Sequence, residues 1–120
     1  MITTPFASLL VSDKQARIYQ VRFNEPCKKS FDGAKFCYVK ATDDRKYIVF
    51  IPIREVMAEK TAMNSRICYE RGKAVRVSLN KYVSNGMIKA SAFGKRYKVK
   101  KDKRGWIYVC LQEELEVDGI

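Results

Sequence analysis

Six residues late in the chain, Lys101-Asp102-Lys103-Arg104-Gly105-Trp106, restrict the fold more than any other feature. Asp at the first and Gly at the fourth position of a type I turn lets Gly105 take the left-handed bulge conformation. The flanking segments Lys95 to Lys101 and Trp106 to Leu111 must then run antiparallel, and the turn decides which residues share a face. Tyr97, Val99 and Lys101 fall with Ile107, Val109 and Leu111, an almost wholly apolar set. Arg96, Lys98 and Lys100 fall with Trp106, Tyr108 and Cys110 on the opposite face. Lys95, Lys101, Lys103 and Arg104 lie on or beside this hairpin.

A second hairpin is expected from Lys35 to Ala41 and Lys46 to Ile51. Ala34–Ile51 aligns without gaps to Gly94–Leu111, 60 positions later, with Lys35/Lys95, Val39/Val99, Lys40/Lys100 and Val49/Val109 identical. This spacing suggests half-repeats 1–60 and 61–120 within a single domain 1–120. VRFN (21–24) and VSLN (77–80) extend the match only with a four-residue gap. In this first hairpin Cys37, Val39, Tyr47, Val49 and Ile51 are expected on one face, and Phe36, Tyr38, Ile48 and Phe50 on the other. Both sets are apolar, so the pair should be central in a sheet and covered on both sides.

Ala16 to Phe23 and Ala74 to Leu79 also read as strands. Helix is expected over Arg54–Ser65, which follows Pro52 and lacks Gly and Pro, and over Ser84–Phe93, with Ser84 as N-cap and Gly94 as the stop. Thr4–Val11 is a third helical candidate, with Pro5 in its first turn. The fold expected is therefore α+β, a mainly antiparallel β-sheet of about five to six strands with one to three short helices.

Charge is concentrated in the same region. The 120-residue chain has 24 Lys plus Arg against 13 Asp plus Glu, a net charge of +11. Residues 66–104 hold 13 bases and two acids (Glu70 and Asp102), whereas residues 105–120 hold four acids and no base. Such a density of like charge costs stability unless an anionic partner compensates it. The acidic tail 112–120 reads as a solvated end or as a segment that folds over the basic face and competes with its ligand.

Several chemistries are disfavoured. The chain has no histidine, which removes imidazole bases, Ser/His and Cys/His pairs and mixed zinc sites. Cys27, Cys37, Cys68 and Cys110 contain no CxxC pair and read as reduced thiols packed like small apolar residues. Asp32, Asp44 and Lys46 have a loosely nuclease-like spacing, but Asp43 and Asp44 also suit a turn. No enzymatic activity, cofactor or metal is expected. The apolar run 6–11 is too short for a signal peptide, and Tyr47–Ile53 is far short of a membrane span. A cytoplasmic protein (or one in a host cytoplasm) with no membrane partner, monomeric or homodimeric, is expected.

The function expected is nucleic-acid binding, to DNA or RNA, by a regulatory or accessory protein. Cations on spaced strand positions neutralise phosphates, and exposed rings beside them stack on bases. The residues expected to do this are Lys95, Arg96, Lys98, Lys100, Lys101, Lys103, Arg104, Trp106 and Tyr108, with Arg76, Lys81 and Lys89 as a secondary basic set. The alternative is a phage or mobile-element inhibitor or accessory protein that binds an acidic protein surface through the same cations.

The segment Gly72 to Leu111, a strand, a short helix and a hairpin, resembles in outline the swapped-hairpin DNA-binding regulators of the AbrB type. Ser78-Leu79-Asn80 and Lys95-Arg96 stand where those proteins carry a Pro-containing segment and a Gly-Asp, so no site residue is carried over.

Overall fold

The computed structural model describes residues 4–11, 18–55, 57–70 and 74–115. Its strands are β1 (Phe6–Val11), β2 (Tyr19–Phe23), β3 (Phe36–Ala41), β4 (Tyr47–Ile53), β5 (Asn64–Tyr69), β6 (Val75–Ser78), β7 (Lys95–Lys101) and β8 (Ile107–Leu115). Every pairing is antiparallel, and the order β1-β2-β6-β5-β3-β4-β8-β7 closes back on β1. The α+β expectation is thus corrected to an eight-stranded closed barrel. Among the described residues helix is confined to two single turns, α1 (Lys28–Phe31) and α2 (Asn80–Ser84), with 3-10 turns at Glu25–Cys27 and Ala90–Ala92. Residues 16 and 17 of the expected strand Ala16–Phe23 lie outside the described residues.

The three helical expectations fail for separate reasons. Phe6–Val11 is strand β1: Ala7 and Leu9 are fully buried, and pairing to both β2 and β7 overrides the helical propensity of Ala and Leu. The described residues of Arg54–Ser65 form no helix: Pro52 lies within β4, opposite Cys37, rather than at a helix start, and Asn64 and Ser65 already belong to β5. Their backbone is tied instead to the buried Asn64 side chain, which accepts from Thr61 N (3.0 Å) and donates to Glu59 O (2.9 Å). The expected helix Ser84–Phe93 begins where α2 ends, and Gly86, at φ +82, turns the chain away.

Both halves show the same order of elements: hairpin, short helical segment, hairpin. Around the barrel, β1–β2 and β3–β4 alternate with β5–β6 and β7–β8. The registers carry the correspondence further. Val21 lies directly opposite Val77, and Leu9↔Val21 in the first half is matched by Ile67↔Val77 in the second. Ala7↔Tyr97 is then matched by Ser65↔Cys37, which equates Cys37 with Tyr97 at the 60-residue spacing of the sequence alignment.

After the turns the match shifts by one residue. Val39 faces Phe50 whereas Val99 faces Val109, so Phe50, not Val49, corresponds to Val109. The cause is the turn length. Four residues separate Thr42 and Tyr47, whereas three separate Asp102 and Trp106, each turn being closed by a 3.1 Å backbone hydrogen bond. This also corrects the expected faces of the first hairpin, because a one-residue change in register flips a strand's side chains. Cys37, Val39, Ile48 and Phe50 face the interior, and Phe36, Tyr38, Val49 and Ile51 face out. A barrel has no second layer outside it. Phe36 and Val49 are buried there, the Arg66 guanidinium lying 5.9 Å from the Phe36 ring, while Tyr38 is exposed.

The interior is filled by side chains that alternate inward along each strand. Phe23 is its centre: its ring makes edge contacts with Phe31 (4.9 Å) and Phe50 (5.0 Å), and all three are fully buried. Cys27, Cys37 and Cys110 are buried and Cys68 is exposed. Desolvation pushes the Cys27 and Cys37 thiols up to about 12, and burial raises Cys110 as well. Since the thiolate is the nucleophile, Cys68 alone is expected to react quickly with iodoacetamide at neutral pH. Mass spectrometry should show one modification on the native chain and four after denaturation; rapid labelling of Cys27 or Cys37 would contradict the packing. Among the described residues no helix is long and apolar enough to cross a membrane.

Candidate nucleic-acid interface

The hairpin turn forms as its residues dictate. Gly105 adopts φ +83 and its amide donates to Asp102 O at 3.0 Å. The Asp102 carboxylate organises the tip, accepting from the backbone amides of Arg104 (2.9 Å) and Trp106 (3.1 Å) and from Tyr108 OH (3.0 Å). Arg104 donates to it from Nε and Nη2 at 3.1 and 2.8 Å. Burial alone would raise the Asp102 carboxyl; the hydrogen bonds from Arg104, Trp106 and Tyr108 outweigh it and hold the group below its ordinary value. Arg104 also lies 3.4 Å from the Trp106 ring centroid. One face of the indole is therefore covered by a guanidinium, and the tip is packed against itself.

The expected faces of β7–β8 are present. Tyr97, Val99, Ile107 and Val109 are buried inside the barrel, and Lys98 and Lys100 point out opposite Cys110 and Tyr108. Between the pairs Lys98↔Cys110 and Tyr97↔Glu114 the ladder bulges, so residues 111–113 leave the regular register. Glu113 thereby reaches Lys100 Nζ at 3.3 Å and Lys98 Nζ at 3.8 Å, and Glu114 reaches Lys95 at 3.7 Å. The hydrogen bond from Lys100 lowers the Glu113 carboxyl and raises the lysine. Residues 112–115 of the expected acidic tail are thus the end of β8, while 116–120 lie outside the described residues.

Barrel closure extends this face in a direction the sequence does not reveal. Arg96 lies opposite Ser8 of β1, Ser8 opposite Arg22 of β2, and Arg22 opposite Arg76 of β6. Lys100, Lys98, Arg96, Arg22 and Arg76 therefore form one outward band across four adjacent strands. The Arg96 guanidinium sits 4.3 Å from the Phe6 ring, and its buried Nε has no hydrogen-bond partner among the described residues. Glu70 joins the far end, paired with Arg22 Nη2 at 3.0 Å and Arg76 Nε at 2.9 Å, and the Arg22 hydrogen bond lowers its carboxyl.

The secondary basic set is divided. Arg76 belongs to the band. Lys81 is a peg, its Nζ donating to Ala62 O at 3.2 Å and to Asn64 O, and Lys89 lines a cavity at one barrel end. Lys101 and Lys103 are exposed at the hairpin tip. Arg22 and Phe6 were not found by sequence reasoning; their only signal was strand alternation. Asp32 and Asp44 lie at opposite ends of the β3–β4 hairpin, Asp32 paired with Arg54 (2.9 Å) and Asp44 accepting from Thr42 Oγ1 and Lys46 N. They form no common metal site, and among the described residues no three His, Cys, Asp or Glu side chains cluster.

Compared with protein families, curated proteins and solved structures, the chain matches none. What the surface can do chemically rests on its geometry.

Proposed function

We propose that the chain binds nucleic acid through the outer face of the β7–β8 hairpin and its continuation onto β1, β2 and β6, as a cytoplasmic regulatory or accessory protein. The observation that carries this reading is the outward band Lys100–Lys98–Arg96–Arg22–Arg76. Successive outward residues on one strand lie roughly 6.6 Å apart, so a flexible polyanion can meet several cations at once. With one indole face occupied by Arg104, phosphate contacts carry more of the binding than base stacking on Trp106. Four free thiols fit the cytoplasmic setting.

The test is a double charge reversal, Lys98→Glu with Lys100→Glu, at exposed positions outside the core. Wild-type affinity for single-stranded DNA and RNA should fall steeply with added salt, and the variant should lose about 100-fold or more at low salt with its melting temperature little changed. Unchanged retention on both polyanions would overturn the reading. A protein retained from lysate after nuclease digestion, with no binding to either polyanion, would favour the protein-directed alternative instead.

A further inference from the structure

A cavity of about 480 Å³ opens at the barrel end that carries the β3–β4 turn. It lies within the size range of small-molecule sites. Its two sides differ in chemistry. Ile48, Ile88 and Tyr97, all nearly inaccessible core side chains, form its floor together with Leu111. Arg45, Lys89 and Lys95 line the same cavity. These three cations come from separate parts of the chain: the β3–β4 turn, the segment before the Ala90–Ala92 turn, and the first residue of β7.

Arg45 is held in place. Its backbone adopts φ +60, one of two non-glycine residues with positive φ among the described residues, and its Nη1 donates to Met87 O at 2.7 Å. A guanidinium has five N–H donors, so further donors remain for a ligand. Lys95 is paired with Glu114 at 3.7 Å, and Asp43 lines an adjoining recess with Arg45, Asn85 and Gly86. With these carboxylates counted, the rim still carries an excess of positive charge. Arg with two Lys suits a doubly charged phosphate better than a single carboxylate.

We infer that this cavity binds an organic phosphate, with Arg45, Lys89 and Lys95 on the phosphate and Ile48, Ile88 and Leu111 against the apolar body. Two sources share that chemistry, a free mononucleotide and the phosphorylated end of a nucleic-acid strand. The site shares no residue with the outward band, so it stands or falls separately from the function proposed above.

Calorimetric titration with AMP and adenosine tests it. AMP should bind at least about tenfold more tightly than adenosine, and Lys89→Glu, an exposed substitution, should weaken AMP about tenfold. Arg45→Glu with Lys89→Glu should abolish binding, while the Lys98→Glu/Lys100→Glu variant should bind AMP as the wild type does. Oligothymidylates with and without a 5′-phosphate separate the sources. Tighter binding of the phosphorylated form, lost in Lys89→Glu, identifies a strand end; equal binding of the two with retained AMP affinity identifies the free nucleotide. Equal affinity for AMP and adenosine, no AMP binding at about 1 mM, or a Lys89→Glu protein that binds AMP normally would overturn the inference.

Discussion

Phe23→Ala is expected to destabilise the protein by about 3–5 kcal/mol, the range for an aromatic side chain removed from a packed core. Phe23 is fully buried and makes edge contacts with Phe31 and Phe50. Its removal would leave a cavity between α1 and the inner face of β4. The barrel cannot easily collapse into that space, because each strand is hydrogen-bonded on both sides. A domain of this size is typically stable by about 5–15 kcal/mol, so a large share of the total would be lost. Urea unfolding followed by Trp106 fluorescence measures it. Phe23→Leu, which keeps most of the volume, should cost clearly less; a loss below about 1 kcal/mol for Phe23→Ala would contradict the packing described.

Glu113→Gln is expected to raise affinity for single-stranded nucleic acid about tenfold at low salt and to steepen its salt dependence. Glu113 reaches both Lys98 and Lys100, so its carboxylate stands where a polyanion would place charge on the outer face, whereas Glu114 reaches Lys95 on the cavity side of β7. Each cation released to a phosphate adds about one to the slope of log affinity against log salt. Deleting residues 112–120 would be a poorer test, because 112–115 belong to β8. An unchanged slope would show that Glu113 does not compete with the ligand.

The pH dependence follows from the same pair. The Glu113 carboxyl lies below its ordinary 4.5 because Lys100 hydrogen-bonds to it, so its contribution is complete above pH 4.5 and is lost as pH falls through the lower folded value. The Lys100 ammonium lies above its ordinary 10.5, so its contribution is complete below that pH and is lost as pH rises through the higher folded value. Between these limits the contact is intact. It is exposed and correspondingly weak, so its main effect is on which anion the lysines meet.

Local chemistry made the two C-terminal strands legible. Asp102 and Gly105 define a turn whose geometry depends on neighbouring residues alone, and the faces of β7 and β8 followed from it. The four-residue turn Asp43 to Lys46 has no Gly to mark its left-handed position. Arg45 takes that position instead, so the register of β3–β4 and the side its residues face were misjudged by one. The Ala- and Leu-containing segment at the N-terminus read as helix because its partners, β2 and β7, are distant in sequence. Glu113 and Glu114 were legible as charges, but their hold on Lys98, Lys100 and Lys95 depends on the bulge in β8.

The sequence by itself determined the composition of the surface. It specified an excess of cations within residues 66–104, a self-contained turn at 102–105, and two hairpins at a 60-residue spacing. Only the tertiary structure decided that the hairpins of the two halves interleave into a closed barrel. Closure sets β7 beside β1 and β2 beside β6, and so brings Arg22 and Arg76 into line with Arg96, Lys98 and Lys100. The physical reason is the range of the interactions. A turn is decided by backbone sterics over a few residues, whereas strand neighbours are decided by which closure buries the whole apolar face at once, to which every strand contributes.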